Sequence, residues 1–252
     1  MLVSFLAFSV TAAASLLSPQ HIFSNPDPAL GELRIPTVHE SAVQARRILH
    51  LETLGTLSTI FPTTHSSDGD VSSRENRPDN LGGMPIGLMD YFADCEPSSG
   101  NPTILAISIA TSFKNVAAGS NITLSLRWRP EAHNSKYKSY SAASLPRFSL
   151  IGSLEKIPAS EVMKQAIPTC FARYHPDSVA WMPGNPIHSS EWVRLVVKEV
   201  YWIGGFGDRA YIGWIPTEQW ANVTMEEVQS IRLPGEEKSK GWLGYVPGYG
   251  RE

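Results

Sequence analysis

Short runs of alternating apolar and polar residues recur along the chain, and this pattern predicts half-buried β-strands. The clearest run is 122–128, in which Ile122, Leu124 and Leu126 fall on one face and Thr123 and Ser125 on the other. Further runs rich in apolar or β-branched residues predict strands at 54–61, 86–93, 104–110, 147–157, 192–203 and 210–215.

Two of these strands carry residues that bear on their geometry. Gly152 lies in the middle of 147–157 and suits a bend at the corner of a barrel. In the longest strand, alternation predicts one shared face made of Val193, Leu195, Val197, Tyr201 and Ile203. Glu199 falls among these apolar positions, where a carboxylate is unusual. A dimer rim, an ion pair and a cavity wall remain alternative explanations for it.

Helical spacing is confined to a few short segments. Thr37 and Glu40 form a capping-box pattern that predicts the start of a helix over 38–50. A second helix over 160–174 has one apolar face but contains Pro168, which must kink or restart it. Shorter helices are predicted over 111–119 and 217–222.

Many strands and few helices favour a mainly β fold, a β-barrel with a few short α-helices. The strands do not alternate with helices as βαβ units require, and the 252 residues contain no internal repeat. A closed barrel removes exposed sheet edges and encloses an apolar interior. We expect the barrel over residues 37–225, after a Pro-rich linker over 15–36 and before a disordered tail over 226–252.

The first residues of the chain indicate entry into the secretory pathway. Residues 1–14 are almost wholly apolar and end in three alanines, which is typical of a signal peptide. A membrane anchor is the alternative, but it needs about 20 apolar residues and the run stops short at Pro19. Asn121 and Asn222 each begin an N-x-Thr sequon and are the predicted glycosylation sites.

The chain contains two cysteines, Cys95 and Cys170, and an even number suits an oxidising compartment. A disulfide between them and a pair of buried free thiols are both compatible with the sequence, because pairing geometry cannot be read from it. The apolar neighbours of Cys170 would raise its thiol pKa, so a nucleophilic role is not favoured.

Charge and motif content exclude several classes of function. A formal net charge of −3 provides no field that would attract nucleic acid, and no later segment is apolar enough for stable membrane insertion. The sequence contains no serine-hydrolase elbow, zinc-protease motif or phosphate loop. Its seven histidines are scattered, and His175 and His188 are interpreted as satisfied loop residues.

The segments 45–50, 55–59, 111–115 and 171–176 are followed by a Gly-Gly-Phe-Gly turn at 204–207. Over residues 38–225 this order of elements resembles that of the CREG family of secreted glycoproteins. That family shares the FMN-binding split barrel of pyridoxamine 5′-phosphate oxidase-like proteins. The resemblance implies a six-stranded split barrel that forms a homodimer.

The resemblance also implies two alternative functions. Flavin-binding members hold FMN at the dimer interface and carry out redox chemistry. CREG-like members are regarded as non-catalytic, with an obstructed flavin pocket, and act in secretory or endolysosomal compartments through glycan- or protein-mediated contacts. We expect a non-catalytic, secreted or vacuolar homodimer that acts by binding, and an FMN-dependent oxidoreductase is the alternative.

Six residues are candidates for a flavin site. Thr111, Ser112 and Lys114 match the segment that holds the FMN phosphate in flavin-binding relatives, although Thr111 or Ser112 capping the short helix is the favoured alternative. Gly204, Gly205 and Gly207 would let backbone N–H groups approach a ligand, but a turn between two strands needs glycine in any case.

Overall fold

The computed structural model describes residues 34–63, 77–130 and 140–236. In chain order its helices and strands are α1 (Val38–Leu51), β1 (Leu54–Ile60), β2 (Pro85–Tyr91), β3 (Thr103–Ile107), α2 (Thr111–Ala117), β4 (Ile122–Arg127), β5 (Arg147–Lys156), α3 (Ala159–Lys164), α4 (Ile167–Tyr174), β6 (Ser190–Ile203), β7 (Ile212–Ile215), α5 (Thr217–Ala221) and α6 (Met225–Ser230). The predicted signal peptide, residues 15–33 of the predicted linker and residues 237–252 of the predicted tail lie outside the described residues.

All seven strands join one antiparallel sheet in the order β2-β1-β4-β5-β6-β3, and β7 pairs with β6. The two end strands of this order meet just beyond β2, where Ala93 and Thr103 exchange backbone hydrogen bonds of 2.9 Å. Among the described residues the sheet therefore closes on itself at this one bridge, which we call the seam. The predicted mainly β fold with a few short helices is confirmed.

The barrel interior is filled by the apolar side chains of the strand faces that point inward. Leu57, Leu124 and Leu150 are almost completely buried at its centre, and α1 adds Ile48 and Leu49. A second apolar cluster lies outside the barrel, where Phe171 of α4 packs edge-on against Trp192 of β6 with ring centroids 5.1 Å apart. Burial of this apolar surface is the main force that holds the helices to the sheet.

A β-bulge interrupts the pairing of β5 with β6 at the predicted bend. Ile151 pairs with Glu199 and Gly152 pairs with Val197, so Lys198 is an extra residue in β6. One extra residue reverses which positions point inward. Val200 is therefore buried, and Tyr201 is 37% exposed.

Three sequence predictions about β6 and β3 are corrected by this geometry. The predicted shared face of Val193, Leu195, Val197, Tyr201 and Ile203 is wrong beyond Val197, because the bulge changes the phase of alternation. Glu199 is exposed, so its place among apolar positions was a consequence of the unrecognised bulge. Strand β3 ends at Ile107 rather than at residue 110, because the Ala110 N–H bonds back to the Ile107 carbonyl in a turn.

The predicted capping box of the first helix and the predicted interruption of the helix over 160–174 are both confirmed. Thr37 and Glu40 form the expected capping box of α1. The predicted helix over 160–174 restarts as α3 and α4, and Ala166 between them has a left-handed φ of 49°. No helix of the described ranges combines the length and apolarity that crossing a membrane requires.

The prediction of a disordered tail from residue 226 is wrong for residues 226–236. Thr224 and Glu227 form a second capping box that starts α6, and Val228 is fully buried. After α6 the chain continues to pack against the core. Leu233 is 3% exposed, and Glu236 forms an ion pair with Arg47 of α1. We call residues 225–236 the C-terminal arm.

Candidate functional site

The predicted phosphate-binding residues lie in the first turn of α2. The N-cap of this helix is Ala110, and no side chain caps it. The favoured alternative, in which Thr111 or Ser112 caps the helix, is therefore wrong. Ser112 is 2% exposed, so its hydroxyl is withdrawn from solvent, and Lys114 is half-buried. Asn115 of the same helix donates to the Thr59 hydroxyl at 3.0 Å and anchors α2 on β1.

The predicted glycine turn joins β6 to β7 and packs against its own chain. The Gly204 N–H donates to the Tyr211 carbonyl at 3.0 Å. Gly205 has a φ of 145°, and a Cβ placed there would meet the Ser144 carbonyl oxygen at 2.8 Å. These glycines are required by the turn and by its close approach to Ser144.

The two parts of the predicted flavin site are not brought together within one chain. Helix α2 leads into Ile122, which pairs with Gly152, whereas the glycine turn follows Ile203, which pairs with Arg147. Gly152 and Arg147 are separated by five residues of β5, or about 17 Å of strand at roughly 3.4 Å per residue. Within one protomer the two parts of the predicted site therefore lie at different positions along β5, and the Ser112 hydroxyl is buried.

The remaining predicted sites are placed as follows. Asn121 and Asn222 are both exposed, as an acceptor asparagine must be. Cys95 and Cys170 form a disulfide that connects the segment after the seam to α4. In the described ranges no three or more His, Cys, Asp or Glu side chains form a group that could hold a metal ion.

A cleft of about 470 Å³ opens on the outer face of the sheet, across β1, β4, β5 and β6. One row of its lining consists of hydroxyl-bearing side chains that are direct cross-strand neighbours, namely Thr56, Ser125, Ser149 and Tyr201. The Ser125 and Ser149 hydroxyls are hydrogen bonded at 2.8 Å. Met89 of β2 continues the row at one end and is 74% exposed.

A second row, two residues further along the strands, carries positive charge. Arg127 of β4 stands directly opposite Arg147 of β5, and Arg129 lies two residues beyond Arg127. Within the described residues none of the three forms an ion pair, and Arg147 donates to the Ala143 carbonyl at 3.2 Å. Glu52 also lines the cleft and accepts from the Arg129 backbone N–H at 3.0 Å.

Like charges placed directly opposite each other on neighbouring strands are destabilising. An anion between Arg127 and Arg147 would remove that repulsion and would accept charge-assisted hydrogen bonds from both guanidinium groups. The cleft can therefore bind an anionic group and present hydroxyls to the remainder of a ligand.

Sequence reasoning did not identify these arginines. The alternation over 122–128 places Arg127 on the polar face of its strand, and Arg147 is the first residue of the strand predicted over 147–157. Their pairing follows from the register between β4 and β5, which are separated by a 19-residue connection from 128 to 146. Arginines at alternate positions of a strand, as at 127 and 129, are the one signal that the sequence offers.

Comparisons with known proteins identify the fold. A family model described as CREG, beta-barrel matches residues 36–222. A solved haem binding protein from Mycobacterium smegmatis is 18% identical with a TM-score of 0.50, and the match covers 75% of this chain and 61% of that one. A second solved structure is 16% identical with a TM-score of 0.51, over 74% of this chain and 99% of that one.

A haem storage protein from Vibrio cholerae is 12% identical with a TM-score of 0.40, over 63% of this chain and 90% of that one. No curated protein matches the chain. The first solved structure extends well beyond the match, because this chain spans only 61% of its length. The first two solved structures, with TM-scores of 0.50 and 0.51, show a shared split-barrel fold, and at these identities they show nothing about a ligand.

Proposed function

Because the chain belongs to the CREG β-barrel family, we propose that it is a non-catalytic protein of the secretory pathway that acts by binding, as a homodimer. The homodimer is supported chiefly by the exposed apolar side chains of β2, which is an edge strand of the sheet. Its Leu88 is 39% exposed on one face, and Met89 is 74% exposed on the other.

An edge strand with unpaired backbone groups and exposed apolar side chains is usually blunted or covered. Asp90 is the one charged residue of β2, and it is half-buried, which raises the pKa of its carboxyl. Met84, directly before the strand, adds a further exposed apolar side chain at 52%. A second copy of the chain would bury these side chains, and burial of apolar area supplies the free energy of association.

Passage through the secretory pathway is supported by three features of the chain. The signal-like residues 1–14 precede the barrel, both sequon asparagines are exposed, and the cysteines are joined. Treatment of protein from a glycosylating host with an endoglycosidase is expected to lower its mass. Unmodified Asn121 and Asn222 in such a host would contradict this part of the proposal.

The homodimer is tested by introducing a charge on β2. Met89→Asp places a carboxylate in the proposed interface, and sedimentation velocity is expected to show a monomer where the unmodified protein shows a dimer. The matched control is Met163→Asp, since Met163 is similarly exposed at 78% but belongs to α3 and not to β2. A monomeric unmodified protein, or a Met89→Asp dimer of undiminished stability, would contradict the proposal.

The alternative, an FMN-dependent oxidoreductase, is tested on the same purified protein. Visible absorbance and flavin fluorescence are recorded before and after adding FMN, and in parallel after adding haem, because a structural neighbour is a haem binding protein. We expect no stoichiometric signal and no shift of Tm. A flavin signal that Lys114→Ala abolishes would replace our proposal with the oxidoreductase.

A further inference from the structure

We propose that the cleft on the outer face of the sheet binds a sugar that carries a phosphate or sulfate ester. The arginine row would hold the ester group and the hydroxyl row would hold the sugar. This inference depends on the geometry of one protomer and does not require the homodimer.

The position of the ester group follows from Arg127 and Arg147. They are direct cross-strand partners, which places their Cβ atoms about 5 Å apart. Arg127 is exposed and Arg147 half-buried, and neither has a carboxylate partner among the described residues. A tetrahedral oxyanion accepts hydrogen bonds from two guanidinium groups at once, and its negative charge offsets the repulsion between them. A water molecule carries no charge and does not offset that repulsion.

Glu52 does not occupy the position of that anion. Its side chain is 2% exposed and is committed to the Arg129 backbone N–H. The cleft thus keeps an excess of positive charge even though the whole chain has a net charge of −3. A local cationic site on an acidic protein selects a small anion rather than a polyanion such as nucleic acid.

The position of the sugar follows from the hydroxyl row. Thr56, Ser125 and Ser149 are half-buried and can each donate or accept, as the hydroxyls of a sugar require. Tyr201 closes this row with an aromatic ring, which Trp214 of β7 holds edge-on with centroids 5.0 Å apart. The two rows are separated by two residues of strand, or about 7 Å, which is of the order of one sugar ring.

The proposal is tested by isothermal titration with four probes at one ionic strength: glucose 6-phosphate, glucose 6-sulfate, glucose and inorganic phosphate. We expect the two esters to bind at least tenfold more tightly than glucose or phosphate alone, and added salt to weaken their binding. If inorganic phosphate bound as tightly as the esters, the claim that the hydroxyl row binds the sugar would be wrong. No binding of either ester would overturn the proposal as a whole.

Variants assign the binding to the cleft. Arg127→Gln and Arg147→Gln are each expected to weaken ester binding at least tenfold, whereas Arg173→Gln, an exposed arginine of α4, leaves it unchanged. The ligand-free Arg127→Gln protein is expected to keep or raise its Tm, because one like charge has been removed. Ester binding that survives Arg127→Gln would place the site elsewhere and overturn the inference.

Discussion

His175 is a buried titratable residue at the second apolar cluster, where it contacts Phe171. Its ring is 4% exposed, stacks on Tyr91 with centroids 4.0 Å apart, and donates from Nε2 to the Phe92 carbonyl at 2.9 Å. Burial lowers the pKa of His175 below its ordinary value. The neutral imidazole already makes the hydrogen bond to the Phe92 carbonyl. A protonated imidazolium would lose its hydration in this buried position, so the neutral form is favoured.

The stability of the protein is therefore expected to decrease as the pH falls from about 8 to about 5, in part because of His175. The unfolded chain takes up a proton there near its ordinary pKa, whereas the folded chain resists it. In the His175→Gln variant we expect the contribution of His175 to the pH dependence of the unfolding free energy to be absent. Urea unfolding at several pH values measures it, and an unchanged slope in the variant would contradict the assignment.

His39 provides the control of opposite sign. It contacts Glu227 at 2.8 Å, and that hydrogen bond raises the pKa of His39. A raised folded pKa contributes stability that is present below the ordinary pKa and is lost as the pH rises through the folded one. His39→Gln is thus expected to lower stability at about pH 5 and to leave it unchanged at about pH 9.

At the scale of elements, the C-terminal arm binds to α1 through a buried ion pair. Arg47 is paired with Glu236 and also donates to the Val228 carbonyl at 3.2 Å. The side chains of the pair are 8% and 11% exposed, so neither charge is well solvated. Trp128 adds a hydrogen bond from its indole N–H to the Pro234 carbonyl at 2.7 Å.

Glu236→Ala is expected to destabilise the protein by about 2–4 kcal/mol, because it removes the Glu236 carboxylate from the buried Arg47 guanidinium. Glu226→Ala, on the exposed side of α6, is the control and should change the free energy of unfolding by less than about 0.5 kcal/mol. Equal effects of the two substitutions in urea unfolding would show that the arm is not held by the ion pair.

Alternation of residues was sufficient to predict the strands but not their phase along β6. The bulge at Lys198 adds one residue, and no local composition distinguishes a bulged residue from any other exposed lysine. The C-terminal arm was overlooked because its sequence is polar, although Thr224 and Glu227 carry the same capping pattern as α1. The candidate cleft was beyond prediction, since Arg127 and Arg147 meet through register and not through sequence proximity.

At the scale of the whole molecule, the disulfide between Cys95 and Cys170 links the second apolar cluster covalently to the barrel. Cys95 lies two residues after the seam residue Ala93, and Cys170 lies in α4. The bond closes a loop over a sequence separation of 75 residues. A loop of this length restricts the unfolded chain considerably, and in the loop-entropy account the bond stabilises the fold by about 4 kcal/mol.

The double variant Cys95→Ala and Cys170→Ala is therefore expected to lose about 2–4 kcal/mol of unfolding free energy. Reduction of the unmodified protein should produce a similar loss, and a reducing agent should have no effect on the double variant. An equally stable double variant would show that the helices are held by packing alone, through contacts such as Phe171 with Trp192.

The two buried arginines of α1 have a consequence for the order in which the protein is made. Arg46 donates to the Trp220 carbonyl across 174 positions of sequence, and Arg47 reaches Glu236 across 189. Helix α1 thus depends on partners that are synthesised 174 and 189 residues after it. Until those partners are synthesised, the two guanidinium groups cannot make these buried contacts. Folding of this barrel is accordingly not complete before residue 236 is synthesised, and a nascent chain stalled before residue 217 would lack both contacts.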